Sequence, residues 1–163
     1  MLPDDRATVL VIGIGNRYRN DDSAGLLAAQ LVRARALPAV KVIEHESEGA
    51  ALVDLLAGAE AAILIDAVRS GTARGTIQRF DVCDGPLPAE AFRHSTHAFD
   101  VASALELARA LSSLPPRVIV YGIEGGNFGA GTRISAEIAA ALPELVERVI
   151  SEVENLQRCH TFR

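Results

Sequence analysis

The stretch Val9-Leu10-Val11-Ile12-Gly13-Ile14-Gly15-Asn16-Arg17-Tyr18-Arg19-Asn20-Asp21-Asp22-Ser23-Ala24-Gly25 decides how this chain is read. Val9 to Ile12 is a short apolar run rich in β-branched residues. It reads as a buried strand, and Gly13-Ile14-Gly15-Asn16 reads as the tight turn that ends it. Leu26, Leu27, Leu31 and Val32 then recur at helical spacing across residues 23–35. Strand, glycine turn and helix in that order open an α/β domain. The same order invites a dinucleotide-binding reading, which fails on detail. That fingerprint needs Gly or Ala three residues after Gly15, and Tyr18 stands there. Asp21 and Asp22 also place negative charge where a phosphate needs a helix N-terminus free of it.

Working outward, Val40 to Glu44 reads as a second strand, and Gly49 opens a short helix carrying Leu52, Leu55 and Leu56. Ala61-Ala62-Ile63-Leu64-Ile65 is apolar throughout and ends at Asp66, the pattern of a strand covered on both faces. Thr76 to Val82 alternates and reads as an edge strand, antiparallel to its neighbour. Residues 84–97 form a long loop with Pro86 and Pro88, and Phe99 to Leu111 a helix stopped by Pro115-Pro116. Val118 to Tyr121 is the last strand, followed by a loop with Gly125, Gly126, Gly129 and Gly131. The C-terminal segment from Ala136 to Leu156 carries an apolar stripe interrupted by Pro143, which predicts a kink or two abutting helices. The expected architecture is a three-layer α/β fold with a mostly parallel sheet. It forms one domain over residues 1–163, with its core at about 8–155.

Composition narrows the function classes. Of 163 residues, 49% are hydrophobic and only 4% aromatic, which favours aliphatic layers over an aromatic platform for single strands. The net charge is −5 and Lys41 is the only lysine, so nucleic acid and anionic membranes are not expected partners. Cys83 and Cys159 are too far apart for a CxxC motif. The start, Met1-Leu2-Pro3-Asp4-Asp5-Arg6, is polar and has no signal-peptide pattern, so a cytoplasmic protein is expected.

Three residues are candidates for chemistry. Asp21 and Asp22 precede an apolar helix and read as caps, but a cap uses only one side chain. Asp66 follows an apolar strand run, and ligands of open α/β sheets gather beyond the carboxyl ends of strands. Asp22, beyond the first strand, belongs to the same edge. His97 lies in His94-Ser95-Thr96-His97 at the start of a helix, where Ser95 or Thr96 can serve as N-cap. Two carboxylates and an imidazole can hold a divalent transition metal and leave positions open for water or substrate. Glu44, His45, Glu46 and Glu48 read as a solvated acidic loop. No nucleophile-elbow serine occurs.

Gly13-Ile14-Gly15-Asn16, Asp21-Asp22 and Gly25 resemble the N-terminal signature of the hydrogenase maturation endopeptidases. The strand ending at Asp66, Ser95-Thr96-His97 and Tyr121-Gly122-Ile123-Glu124 follow in the family's order. The resemblance implies an α/β/α sandwich with a five-stranded, mostly parallel twisted sheet. It implies an endopeptidase that removes a C-terminal extension from the large-subunit precursor of a [NiFe] hydrogenase after nickel insertion. The implied metal-contacting and catalytic positions are Asp22, Asp66 and His97, without assigned roles. The first of them is Glu in much of the family, so Asp22, one methylene shorter, needs a closer backbone. The metal is expected to be nickel carried by the substrate, with no organic cofactor, and the protein is expected to be a monomer. The alternative on the same fold is a non-catalytic, nickel-sensing chaperone for the same precursor. A nucleotide-binding domain is the third and weakest reading.

Overall fold

The opening run forms β1, Val9–Ile14, with every residue buried. The structure, a computed structural model, describes residues 8–46, 49–92 and 100–160. After β1 come a 3-10 turn at Asn20–Ser23, helix α1 (Ala24–Ala34), strand β2 (Val40–His45) and helix α2 (Gly49–Leu56). Strand β3 (Ala61–Val68), strand β4 (Ile77–Asp81) and helices α3 (Ala89–Phe92) and α4 (Val101–Ala110) follow. Strand β5 (Arg117–Glu124) and helix α5 (Ala136–His160) complete the order.

The five strands form one sheet in the order β2-β1-β3-β5-β4. β1 pairs in parallel with both β2 and β3, β3 pairs in parallel with β5, and only β4 runs antiparallel. The mostly parallel sheet and the antiparallel edge strand both match expectation. Alternation along each strand separates two apolar layers. Val9, Val11, Ile63, Ile65, Ile119 and Ile123 pack with α1 and α5 on one face. Leu10, Ile12, Ala62, Leu64, Val118 and Val120 pack with α2, α3 and α4 on the other. Burial on both faces is why these strands read as continuous apolar runs.

Two local expectations are corrected and a third is narrowed. The loop after Asp84 contains a short helix, α3. The first described residue of the next segment, Asp100, is the N-cap of α4, its carboxylate accepting from Ser103 N–H at 2.8 Å. That replaces Ser95 or Thr96 as cap, since Asp100 is the residue in the extended conformation with an oxygen over the first turn. The C-terminal segment is one helix, with Pro143 inside it, rather than two. Pro143 lies about two turns into the helix, where it has no N–H to donate to the Ala139 carbonyl, so one i→i−4 bond of the helix is missing. A half-buried polar cluster ties α5 to the β4 edge. Arg79 donates to Glu152 at 2.7 Å, and the Tyr121 hydroxyl donates to the same carboxylate at 2.9 Å. Burial, then Glu152, pushes the Tyr121 hydroxyl up to about 12.

Two glycines decide how closely α1 seats on the sheet. A Cβ at Gly25 would stand 2.3 Å from the carbonyl oxygens of both Ile14 and Ile65. A Cβ at Gly13 would stand 2.3 Å from Gly25 O. The obstacles are backbone atoms, which cannot rotate away. Gly25→Ala is therefore expected to cost about 3 kcal/mol through overpacking, read as a lower urea midpoint. An unchanged midpoint would show that the strand ends yield more readily than this contact implies.

Candidate functional site

Connections from β1 lead to β2 on one side and, through β2 and α2, to β3 on the other. The carboxyl ends of β1 and β3 therefore flank the point where strand order reverses, the usual place for a binding crevice in such sheets. Asp22 and Asp66 stand at this point. Asp22 belongs to the 3-10 turn that follows β1. Its carbonyl oxygen accepts from Asn16 N–H at 3.1 Å, and it would lie only 1.9 Å from a Cβ at Gly15. Glycine at position 15 thus lets the turn fold back tightly over the strand end. Asp66 lies within β3, which continues to Val68, rather than just past it. By alternation Asp66 shares the face of Leu64 and Val68, toward α4.

Both carboxylates are almost inaccessible, Asp22 at 3% and Asp66 at 5%. Burial, then the negative charge of Asp22, pushes Asp66 well above the ordinary carboxylate range. A hydrogen bond from Ala67 N–H opposes this weakly, and Asp100 at the start of α4 adds to the rise. A buried acid beside a second acid holds its proton until a cation or another proton compensates the charge. Arg19 supplies one positive charge: its Nη1 lies 3.7 Å from Asp22 Oδ2.

The neighbouring acid, Asp21, does something different. Its carboxylate accepts from Gly126 N–H, Asn127 N–H, Ser135 N–H and the Ser135 hydroxyl, at 2.6–2.8 Å. Burial alone would raise its pKa, but the hydrogen bonds from Ser135, Gly126 and Asn127 together lower it. Asn20, at φ 48°, reaches the same loop, donating to Gly129 O and accepting from Arg133 N–H. Neither Asp caps a helix: no side-chain cap bond is made at the 3-10 turn or at α1. Both capping expectations are therefore corrected. Asp21 bonds to a loop more than 100 residues away, and Asp22 faces Arg19 and Asp66.

His97 lies outside the described residues, with His94, Ser95 and Thr96. The expected solvated loop is corrected at Glu44 and His45, which belong to β2, while Glu46 beyond the strand is exposed as expected. Glu44 accepts from Gln30 and Arg33, Glu46 pairs with Arg17 at 2.6 Å, and His45 is buried at the end of β2. Glu48 is not among the described residues. Sequence reading passed over Arg19 altogether. The signal available was its three-residue spacing to Asp22 within a turn, which brings two side chains onto one side. Among the described residues no group of three or more His, Cys, Asp or Glu side chains is placed to hold a metal. None of the described helices is long and apolar enough to cross a membrane.

The family model for hydrogenase maturation proteases matches residues 26–152. The chain belongs to the hydrogenase maturation protease family. This is a peptidase family. The match includes Asp66 and the position of His97, and begins just after Asp22. Among curated relatives, the hydrogenase expression/formation protein HupD of Thiocapsa roseopersicina is 26% identical over 90% of this chain. HupD of Rhodobacter capsulatus is 29% identical over 86% of it. The chain spans 64% of the length of the first relative and 70% of the second. Among solved structures, the hydrogenase maturating endopeptidase HybD from E. coli superposes with TM-score 0.77 at 20% identity. That match covers 90% of this chain and 92% of HybD. An endopeptidase from Escherichia coli solved in solution gives 0.81 at 21% identity, with the same coverage. At such identities the likeness establishes the shared maturation-protease fold.

Proposed function

We propose that this chain is an endopeptidase that removes a C-terminal extension from the large-subunit precursor of a [NiFe] hydrogenase once nickel has been inserted. The observation that carries the reading is the meeting of Asp22 and Asp66, two buried carboxylates from separate chain segments, at the crevice between β1 and β3. Family membership supports the substrate class. Nickel enters as part of that substrate. Asp22 and Asp66, joined by the His97 imidazole, offer hard oxygen and borderline nitrogen donors suited to a divalent transition metal.

With Arg19 beside Asp22 and Asp66 holding its proton, both carboxyls ionise together only against a divalent cation, so a nickel-loaded precursor binds better than a metal-free one. Each tenfold of that preference requires about 1.4 kcal/mol. Substrate nickel supplies Lewis acidity at the scissile carbonyl or an attacking water. The chain's own part is to align the metal with the cleaved bond and to accept a proton on a carboxylate when the bond is hydrolysed.

The test is incubation of precursor, with and without nickel, followed by mass spectrometry of its C-terminus. Shortening of the loaded form alone is expected. Equal cleavage of both forms would remove nickel recognition from the reading. Binding without any change of chain length would instead identify a nickel-sensing chaperone. His97→Ala is expected to abolish cleavage while the chain stays folded by circular dichroism, and full activity in that variant would exclude His97.

A further inference from the structure

Two buried carboxylates present a hazard to an enzyme that reads a metal on its substrate. In a site that excludes water, any free divalent cation is attracted to them, and raw affinity alone selects poorly among such ions. Some feature must keep the pair from filling with dissolved metal. Arg19 has the position for it.

Its backbone is held on three sides. Arg19 N–H donates to Asn16 O at 3.2 Å, Arg19 O accepts from Asp22 N–H at 3.1 Å, and the residue bridges to Gly131 in the loop that Asn20 grips. Thus the guanidinium is delivered from a fixed anchor to Asp22. There Nη1 stands 3.7 Å from Oδ2, with the two side chains 22% and 4% exposed. The nearby arginines are engaged elsewhere: Arg17 forks onto Glu46, and Arg69 lies over the Phe128 ring at 5.6 Å.

We propose that Arg19 is a specificity-determining residue that occupies the cation position beside Asp22 and yields it only to a metal presented by a docked precursor. The inference rests on the nickel-reading role of Asp22 and Asp66 stated above. Two physical features suit Arg19 to the task. The separation of this atom pair exceeds hydrogen-bond length, so the contact is an ion pair that a doubly charged ion in direct contact with the carboxylate can outcompete. The long, partly exposed stem can move toward solvent while the backbone stays anchored. A dissolved cation must displace Arg19 unaided. A substrate-held metal displaces it with the help of the whole docked surface.

The experiment compares the full-length parent chain with R19Q, R19M and R19K by calorimetric titration with nickel chloride. R19Q and R19M are expected to bind free nickel about tenfold more tightly than the parent, and R19K is expected to return toward the parent value. A purely structural role for Arg19 would weaken nickel binding or leave it unchanged. In cleavage assays on nickel-loaded precursor, free nickel should inhibit R19Q at about tenfold lower concentration than the parent. R19M serves as the second neutral variant should R19Q fail to fold, and melting curves identify that case. Equal nickel affinity in the parent and a folded neutral variant overturns the inference. If D66N still abolishes nickel-dependent cleavage in that case, the nickel-reading role stands alone. Cleavage indifferent to nickel in the parent overturns both.

Discussion

Asp66→Asn is expected to remove processing of nickel-loaded precursor while raising the stability of the chain. The loss in kcat/KM should reach about a thousandfold or more, because a neutral amide neither compensates nor positions a divalent cation as a carboxylate does. The stability gain follows from the proton. Folding buries Asp66 beside Asp22, and this holds its carboxyl well above the ordinary range. Between the unfolded carboxyl value and the raised folded one, the folded chain binds more protons than the unfolded chain. Stability therefore falls as pH rises through that window. The amide introduced by Asp66→Asn has no proton to lose, so the variant should melt about 3 °C higher than the parent at pH 7. The difference should vanish near pH 3, where the carboxyl is protonated in both states. A variant that melts lower at pH 7, or that still cleaves loaded precursor at the parent rate, would contradict this account. An activity paid for in stability is the usual pattern at functional sites.

The adjacent acid should behave in the opposite way. Asp21→Ala is expected to destabilise the chain by about 4 kcal/mol, since it strands four donors that converge on one buried carboxylate. For a chain of this size that corresponds to a melting point about 10 °C lower. The loop joining β5 to α5 should loosen first, seen as faster hydrogen exchange at Gly126, Asn127 and Ser135. The pH dependence is also reversed. Hydrogen bonds lower the Asp21 pKa in the folded state. Its contribution is present above the unfolded carboxyl value and is lost as pH falls through the lowered folded value. The parent should thus lose stability below about pH 4 more steeply than Asp21→Ala, which has no such carboxylate to protonate. A loss under about 1 kcal/mol at pH 7 would show that water replaces the carboxylate readily.

Asp21 and Asp22 illustrate where sequence reading succeeds and where it stops. Their types and position after a Gly-Xaa-Gly-Asn turn marked the segment as unusual, and cap chemistry explained only one of them. Which acid supports the fold and which faces Asp66 depends on partners far along the chain. Asp21 finds Ser135 and the Gly126–Asn127 backbone, and nothing in the local pattern points there. The solvated reading of His45 failed for a similar reason. Charged neighbours suggested exposure, but the strand continues through His45 and its burial is set by packing around the β2 end.

By itself the sequence determined the strand–turn–helix opening, the apolar central strands, the antiparallel edge and the mostly parallel sheet. These depend on short-range periodicity and on glycine and proline placement, which act within a few residues. Motif order also determined the family resemblance that the family match then established. The tertiary structure alone decided that Asp66 lies inside β3 and titrates under the charge of Asp22. It decided as well that Arg19 stands against Asp22, and that Asp21 locks the loop before α5. Those properties come from desolvation and from charges meeting across separate segments, and both exist only once the sheet has brought the ends of β1 and β3 together.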